Sequence, residues 1–130
     1  MFHRALIAVA SAGLLGIVLA GCVSLPSAEQ AAQADYGSYP SNYEQIVHAY
    51  FSVTLKDPDS AQYRSISSPR TFWIGDRITG AKYGYLVCAN LNGKNSYGAY
   101  IGFQTDGLLI RDGVVIQYIE KGDWFGRQMC

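Results

Sequence analysis

Histidine is almost missing from this chain, with two in 130 residues, His3 and His48. A His-based catalytic set or metal site would rest on His48 alone, without a second imidazole or a nucleophile elbow. His48 falls on the polar side of a helical pattern and reads as a solvated side chain. Cysteine is scarce too: Cys22, Cys88 and Cys130 share no metal-ligand spacing. Excess charge of either sign is absent, with ten Lys plus Arg against ten Asp plus Glu. That balance gives no electrostatic pull toward nucleic acid. The glycine-rich stretches lack the Lys-Ser/Thr pair of a phosphate loop and the third glycine of a dinucleotide turn. Asp57, Asp59 and Ser60 start like a calcium loop, but the residues after them lack its glycine and its final glutamate. No metal, no cofactor and no enzyme activity are expected.

A membrane-spanning run is lacking as well. Ala5 to Ala20 carry no charge, yet sixteen residues fall short of the ~20 that a transmembrane helix needs. With Arg4 before it, the run has the layout of an export signal over residues 1–21. It ends in Leu19-Ala20-Gly21-Cys22, small residues before a thiol, which resembles the lipobox of bacterial lipoproteins. The resemblance implies cleavage before Cys22 and its modification with a thioether-linked diacylglycerol and an acylated amine. Two or three acyl chains hold a protein stably where one is marginal. Val23 follows the cysteine in place of Asp, which by resemblance to Gram-negative lipoproteins implies the outer membrane, facing the periplasm. The alternative is an uncleaved anchor or an ordinary secretory signal.

Residues 23–39 are rich in Ala, Ser and Gln without apolar periodicity. They read as a flexible tether that, with Cys22, forms a unit over 22–39 and holds the domain about 20 to 25 Å from the bilayer. The folded part is expected over 40–130. Ser41-Asn42-Tyr43-Glu44 has the spacing of a capping box. Tyr43, Ile46, Val47, Tyr50, Phe51 and Leu55 then recur at helical spacing and predict an amphipathic helix over 42–55. Asp57-Pro58 predicts a capped short helical turn over 58–62.

After Tyr63 the pattern is that of antiparallel sheet. Tyr83, Tyr85, Val87, Ala89 and Leu91 alternate on one face, and Tyr97, Ala99, Ile101 and Phe103 alternate after the loop Asn92-Gly93-Lys94-Asn95-Ser96. Thr71 to Ile78 form an earlier strand, and Asp106-Gly107 and Asp112-Gly113 mark turns. The fold class is α+β, with one N-terminal amphipathic helix packed on a twisted antiparallel sheet of four or five strands. Gly84, Gly98 and Gly102 sit on strand faces, to be covered by aromatics such as Tyr83 or Tyr100, or else left bare as a groove.

Once Cys22 is lipidated, Cys88 and Cys130 form an even pair outside the cytoplasm, where disulfides persist. One bridge would pin Trp124 and Phe125 onto the sheet. The alternative is a free or intermolecular thiol at Cys130.

Two segments stand out, Leu55-Lys56-Asp57-Pro58-Asp59-Ser60-Ala61-Gln62-Tyr63-Arg64 and the stretch from Cys88 to Phe103, with Asn92-Gly93-Lys94-Asn95-Ser96-Tyr97-Gly98-Ala99-Tyr100-Ile101-Gly102-Phe103. They resemble a set of small exported bacterial proteins, often lipoproteins, with LKDPxSAxYR and NxKNSYGxYxGF elements and often a final cysteine. The chain departs from that pattern at Ala89 and Ala99, where glycine is common. The resemblance implies a fold unit and brings no activity with it.

Lys56, Asp57, Asp59, Ser60, Arg64, Lys94, Asn95, Ser96, Tyr97 and Tyr100 are the candidate residues. Lys94, Asn95 and Ser96 could donate to the Asp57–Ser60 turn as a structural latch, or join Tyr97 and Tyr100 in a recognition surface. The leading expectation is a lipid-anchored envelope protein acting as a small binding or accessory module for another envelope protein. A second is an envelope inhibitor or exclusion lipoprotein that blocks a hydrolase or phage factor. A third, a glycan hydrolase, would need paired carboxylates, with Asp57 and Asp59 or Asp106 and Asp112 as the only pairs that position suggests.

Overall fold

The computed structural model describes Gly21 and residues 23–130; residues 1–20, where the export signal is expected, and Cys22, the expected lipidation position, lie outside the described residues. The domain is α+β, with two helices and a five-stranded antiparallel sheet. The helices are α1 (Ala28–Ala32) and α2 (Tyr43–Thr54). The strands are β1 (Gln62–Ile66), β2 (Arg70–Asp76), β3 (Gly80–Asn92), β4 (Gln104–Arg111) and β5 (Val114–Ile119), and two short strands, β6 (Asp123–Trp124) and β7 (Arg127–Gln128), form a separate hairpin.

The 13-residue β3 is the spine of the sheet. Along one edge it pairs first with β2, through Gly80–Leu86, and then with β1, through Ala89–Asn92. Its other edge pairs with β4, and β4 with β5. The expected alternation holds along β3. Val87, Ala89 and Leu91 point to the face where Val47 and Phe51 of α2 close a core with Leu108 and Ile110. Leu86 and Cys88 point the other way, into a second cluster with Ile74, Leu109, Ile119, Met129 and Trp124. The sheet is therefore covered on both faces, by α2 on one and by residues 120–130 on the other.

The Cys88–Cys130 disulfide joins that C-terminal segment to the centre of β3, with the Cα atoms 5.8 Å apart. Arg70 adds a hydrogen bond to the carbonyl of Met129. Trp124 enters the second cluster as expected, while Phe125 stays exposed against its ring edge.

Several local expectations fail. Residues 23–39 are not a free tether. A capping box between Ser27 and Gln30 starts α1, Asp35 pairs with Arg111 at 3.0 Å, and Tyr36 and Tyr39 set their ring edges against Tyr83 and Tyr85. The exposed first half of the β3 face thus receives its cover from this segment, and the second half from α2. The box expected at Ser41 and Glu44 does not form, since the residue that precedes α2 is Asn42 and it makes no side-chain cap bond. Asp57 likewise caps nothing with its carboxylate; its carbonyl accepts from the Ser60 amide and hydroxyl around the 3₁₀ turn Pro58–Ser60.

Residues 97–103 do not form a strand but the second half of a long β3–β4 loop, with Gly98 and Gly102 at φ values of +77° and +102° that favour glycine. Asp106-Gly107 is not a turn either and lies buried inside β4. Asp112-Gly113 does turn β4 into β5. No aromatic ring fills the space at Gly84. A Cβ there would stand 2.6 Å from the carbonyl oxygen of Ile110 on β4, so the missing side chain lets two backbones approach.

Candidate binding surface

The two singled-out segments meet at the Asn92 end of β3. The 56–60 turn leaves α2 there, β1 runs alongside, and the 93–103 loop folds over them. The latch forms by different donors from those expected. Lys56 Nζ donates to Ser96 Oγ, and the Tyr100 hydroxyl donates to the carbonyl of Ser60 at 2.8 Å. Lys94 does not reach the turn; its ammonium lies over the Tyr100 ring, 5.1 Å from the centroid. Asn95 turns inward, its carbonyl oxygen accepting from the amides of Tyr97 at 2.9 Å and Ala99 at 3.1 Å. Asp59 extends to solvent.

A β-bulge between Tyr63 and Ser65 re-aims Arg64, and its guanidinium stacks on Phe103, 3.8 Å from the centroid. Asn92, buried at the end of β3, accepts from the Gly102 amide at 2.9 Å. Two asparagines therefore hold the loop from inside, one at its base and one at its tip. Sequence reading missed Asn92 because its role depends on a partner ten residues on, across a loop mistaken for a hairpin.

With its backbone held, the loop turns apolar side chains outward. Tyr97 is 95% exposed and Ile101 67%, with Tyr100 and Phe103 partly exposed beside them. Large apolar groups gathered on a surface mark interaction sites far more often than singly scattered ones do.

Under the loop lies a cavity of about 210 Å³, lined among others by Leu55, Leu91, Ile101, Asp106, Tyr118 and Glu120. Asp106 is only 5% exposed, and its Oδ1 accepts from Gln104 Nε2 at 2.6 Å and from the Lys121 amide at 2.8 Å. Burial, with the carboxylates of Asp106 and Glu120 nearby, pushes the Tyr118 phenol well above the ordinary tyrosine range. Asp112, the suggested partner of Asp106, instead accepts from the Ser38 amide at the far turn. His48 sits on exposed helix surface, its ring packed on Tyr63.

No family profile, curated protein or solved structure matches the chain.

Proposed function

We propose that this protein is a lipid-anchored component of the cell envelope whose α+β domain is a binding module, with the 93–103 loop and the 56–64 segment as its recognition surface. One observation carries the reading: the loop backbone is held by Asn92 and Asn95, while Tyr97, Tyr100, Ile101 and Phe103 face outward. A surface ordered in advance loses little conformational entropy on binding, and tyrosine offers a large contact area with few rotatable bonds. Lys56, Arg64 and Lys94 stand beside the patch, with the exposed carboxylates of Asp57 and Asp59 on the same segment, so the partner that suits it is a protein surface that offers apolar area and charges of both signs. Of the carboxylate pairs considered for hydrolysis, Asp106 and Asp112 are engaged in separate structural hydrogen bonds, Asp106 with Gln104 and Lys121 and Asp112 with Ser38.

The lipobox supports the anchor, and Cys22 is the proposed lipidation site. The outer membrane, facing the periplasm, is the proposed location. An exclusion or inhibitor role is the same surface used to block a partner.

The test is a photoreactive residue in place of Tyr97 in the full-length lipoprotein, crosslinked in cells. The expected result is one dominant protein adduct, lost when Lys56 and Lys94 are replaced by Glu. Efficient crosslinking at a control site with no adduct at 97 overturns the reading and leaves the loop as a latch.

A further inference from the structure

Residues 23–39 were expected to hold the domain away from the membrane, yet the first described stretch is tied to the sheet at once. The Val23 amide donates to the carbonyl of Arg77 at 3.2 Å, and a Cβ on Gly80 would meet a Val23 methyl at 3.3 Å. Arg77 lies in the β2–β3 turn and Gly80 opens β3 directly after it. Only one Cα–Cα step, ~3.8 Å, separates residue 22 from Val23. From Val23 the chain runs along β3 toward its other end. Tyr36 reaches Tyr83, Tyr39 reaches Tyr85, and Leu55 ends near Gly93.

We propose that the β2–β3 turn is the membrane-facing end of the domain, seated on the phospholipid surface, and that the fold thereby presents the 93–103 loop to the opposite side. The inference rests on the lipidation of Cys22. A diacylglycerol on that residue leaves no slack between the bilayer and a docked Val23, so the turn beside Val23 must lie in the interfacial layer.

The side chains at this end suit that layer. Ile78 is 89% exposed in the turn, and Val23, held at Arg77 and Gly80, is exposed too. Arg77 adds a cation at headgroup level. The one carboxylate in the turn, Asp76, is occupied by the amides of Ile78 and Thr79 and by the Thr79 hydroxyl, at 2.7 to 2.9 Å. Between this end and the Asn92 end lie the 13 residues of β3, about 40 Å at strand rise. The anchor and the candidate recognition loop thus occupy opposite ends of one rigid strand.

The experiment uses the full-length lipoprotein, purified from membranes and reconstituted in phosphatidylethanolamine–phosphatidylglycerol vesicles that carry doxyl-labelled lipid. A polarity-sensitive dye is attached to Ile78→Cys or to Tyr97→Cys, both exposed positions that leave the native disulfide in place. The dye at 78 is expected to be blue-shifted and quenched at least three-fold more than the dye at 97. Equal quenching at the two sites, or stronger quenching at 97, overturns the orientation while leaving the anchor intact. The mass of the N-terminal peptide separates the two claims: a chain without the diacylglyceryl increment overturns the anchor and the orientation together.

Discussion

Gly122 lies directly beneath Cys130, and a Cβ on it would stand 2.5 Å from the cysteine's own Cβ. The two are also joined through the backbone, where the Gly122 carbonyl accepts from the amides of Met129 at 2.7 Å and Cys130 at 3.4 Å. Its φ of +60° adds a second demand for glycine. Gly122→Ala must therefore either shift the disulfide or lift residues 120–130 off the sheet. The expected cost is about 2 to 4 kcal/mol, combining overpacking with backbone strain. Urea unfolding of the oxidised domain measures it, as a lower midpoint at an unchanged slope.

The disulfide itself encloses the loop between Cys88 and Cys130, which lie 42 positions apart. On the chain-entropy account its removal costs roughly 4 kcal/mol, a large share of what a domain of ~100 residues possesses. Reduction should lower the unfolding free energy by that amount and expose Trp124 to water, seen as a red shift in its emission. In the oxidised protein, thiol labelling should find nothing until reductant is added. A reduced form as stable as the oxidised one would mean that Met129 and Trp124 hold the segment unaided.

Local pattern read well where one face of an element decides its form. The 3.6-residue period at Val47 and Phe51 and the alternation from Tyr83 to Leu91 both describe surfaces that pack as read. The loop was misread because Tyr97, Ala99, Ile101 and Phe103 alternate like a strand, and only the glycines between them betray the positive φ. Asp106-Gly107 looks like a turn because its local chemistry is that of a turn. Its role is set by contacts far along the chain, with Gly107 opposite Cys88 making room for Cys130 Sγ and Asp106 accepting from Lys121. Tyr36 and Tyr39 were the signs that 23–39 is no tether, since exposed aromatics are poor linker residues. Of the candidate surface, the meeting of the two segments was legible, and the bonds that join them were not.

The docking of that N-terminal segment depends on pH in a definite direction. The amide of Gly37, then the charge of Arg111, hold the Asp35 carboxyl below the ordinary carboxylate range. A folded-state pKa below the unfolded one contributes stability that is present above the unfolded value near 4 and is lost as pH falls through the folded one. Carboxyl NMR titration should find Asp35 below the ordinary carboxylate range, and Arg111→Ala should bring it part of the way back. The same variant removes the bonds from Arg111 to the carbonyls of Asp35 and Tyr83, so proteolysis should cut first within 23–39.

At the alkaline end the sign reverses, because burial raises the Tyr118 phenol and Asp106 adds to the rise. Neutral Tyr118 stabilises the fold at pH values below the unfolded phenol near 10, and that contribution is lost as pH rises toward the folded value. Absorbance titration should show one tyrosine that fails to ionise with the others and does so only on unfolding. Tyr118→Phe should remove that late step. If the step persists in the variant, it belongs to another phenol, such as that of Tyr63, also raised by burial.

The loop offers the sharpest separation of its two roles, because different side chains carry them. Asn95 works inward, accepting from the Tyr97 and Ala99 amides, and its replacement by Ala leaves both donors without that partner. The expected loss is about 1 to 2 kcal/mol, with faster amide exchange confined to residues 94–100. Tyr97 works outward, 95% exposed and with no side-chain bond, so Tyr97→Ala should change stability by less than ~0.5 kcal/mol. If the loop recognises a partner, Tyr97→Ala abolishes capture while leaving the fold untouched, and Asn95→Ala weakens capture by disordering the same surface. Intact capture by both variants would place recognition elsewhere on the domain, and a destabilised Tyr97→Ala would make the exposed ring part of the latch.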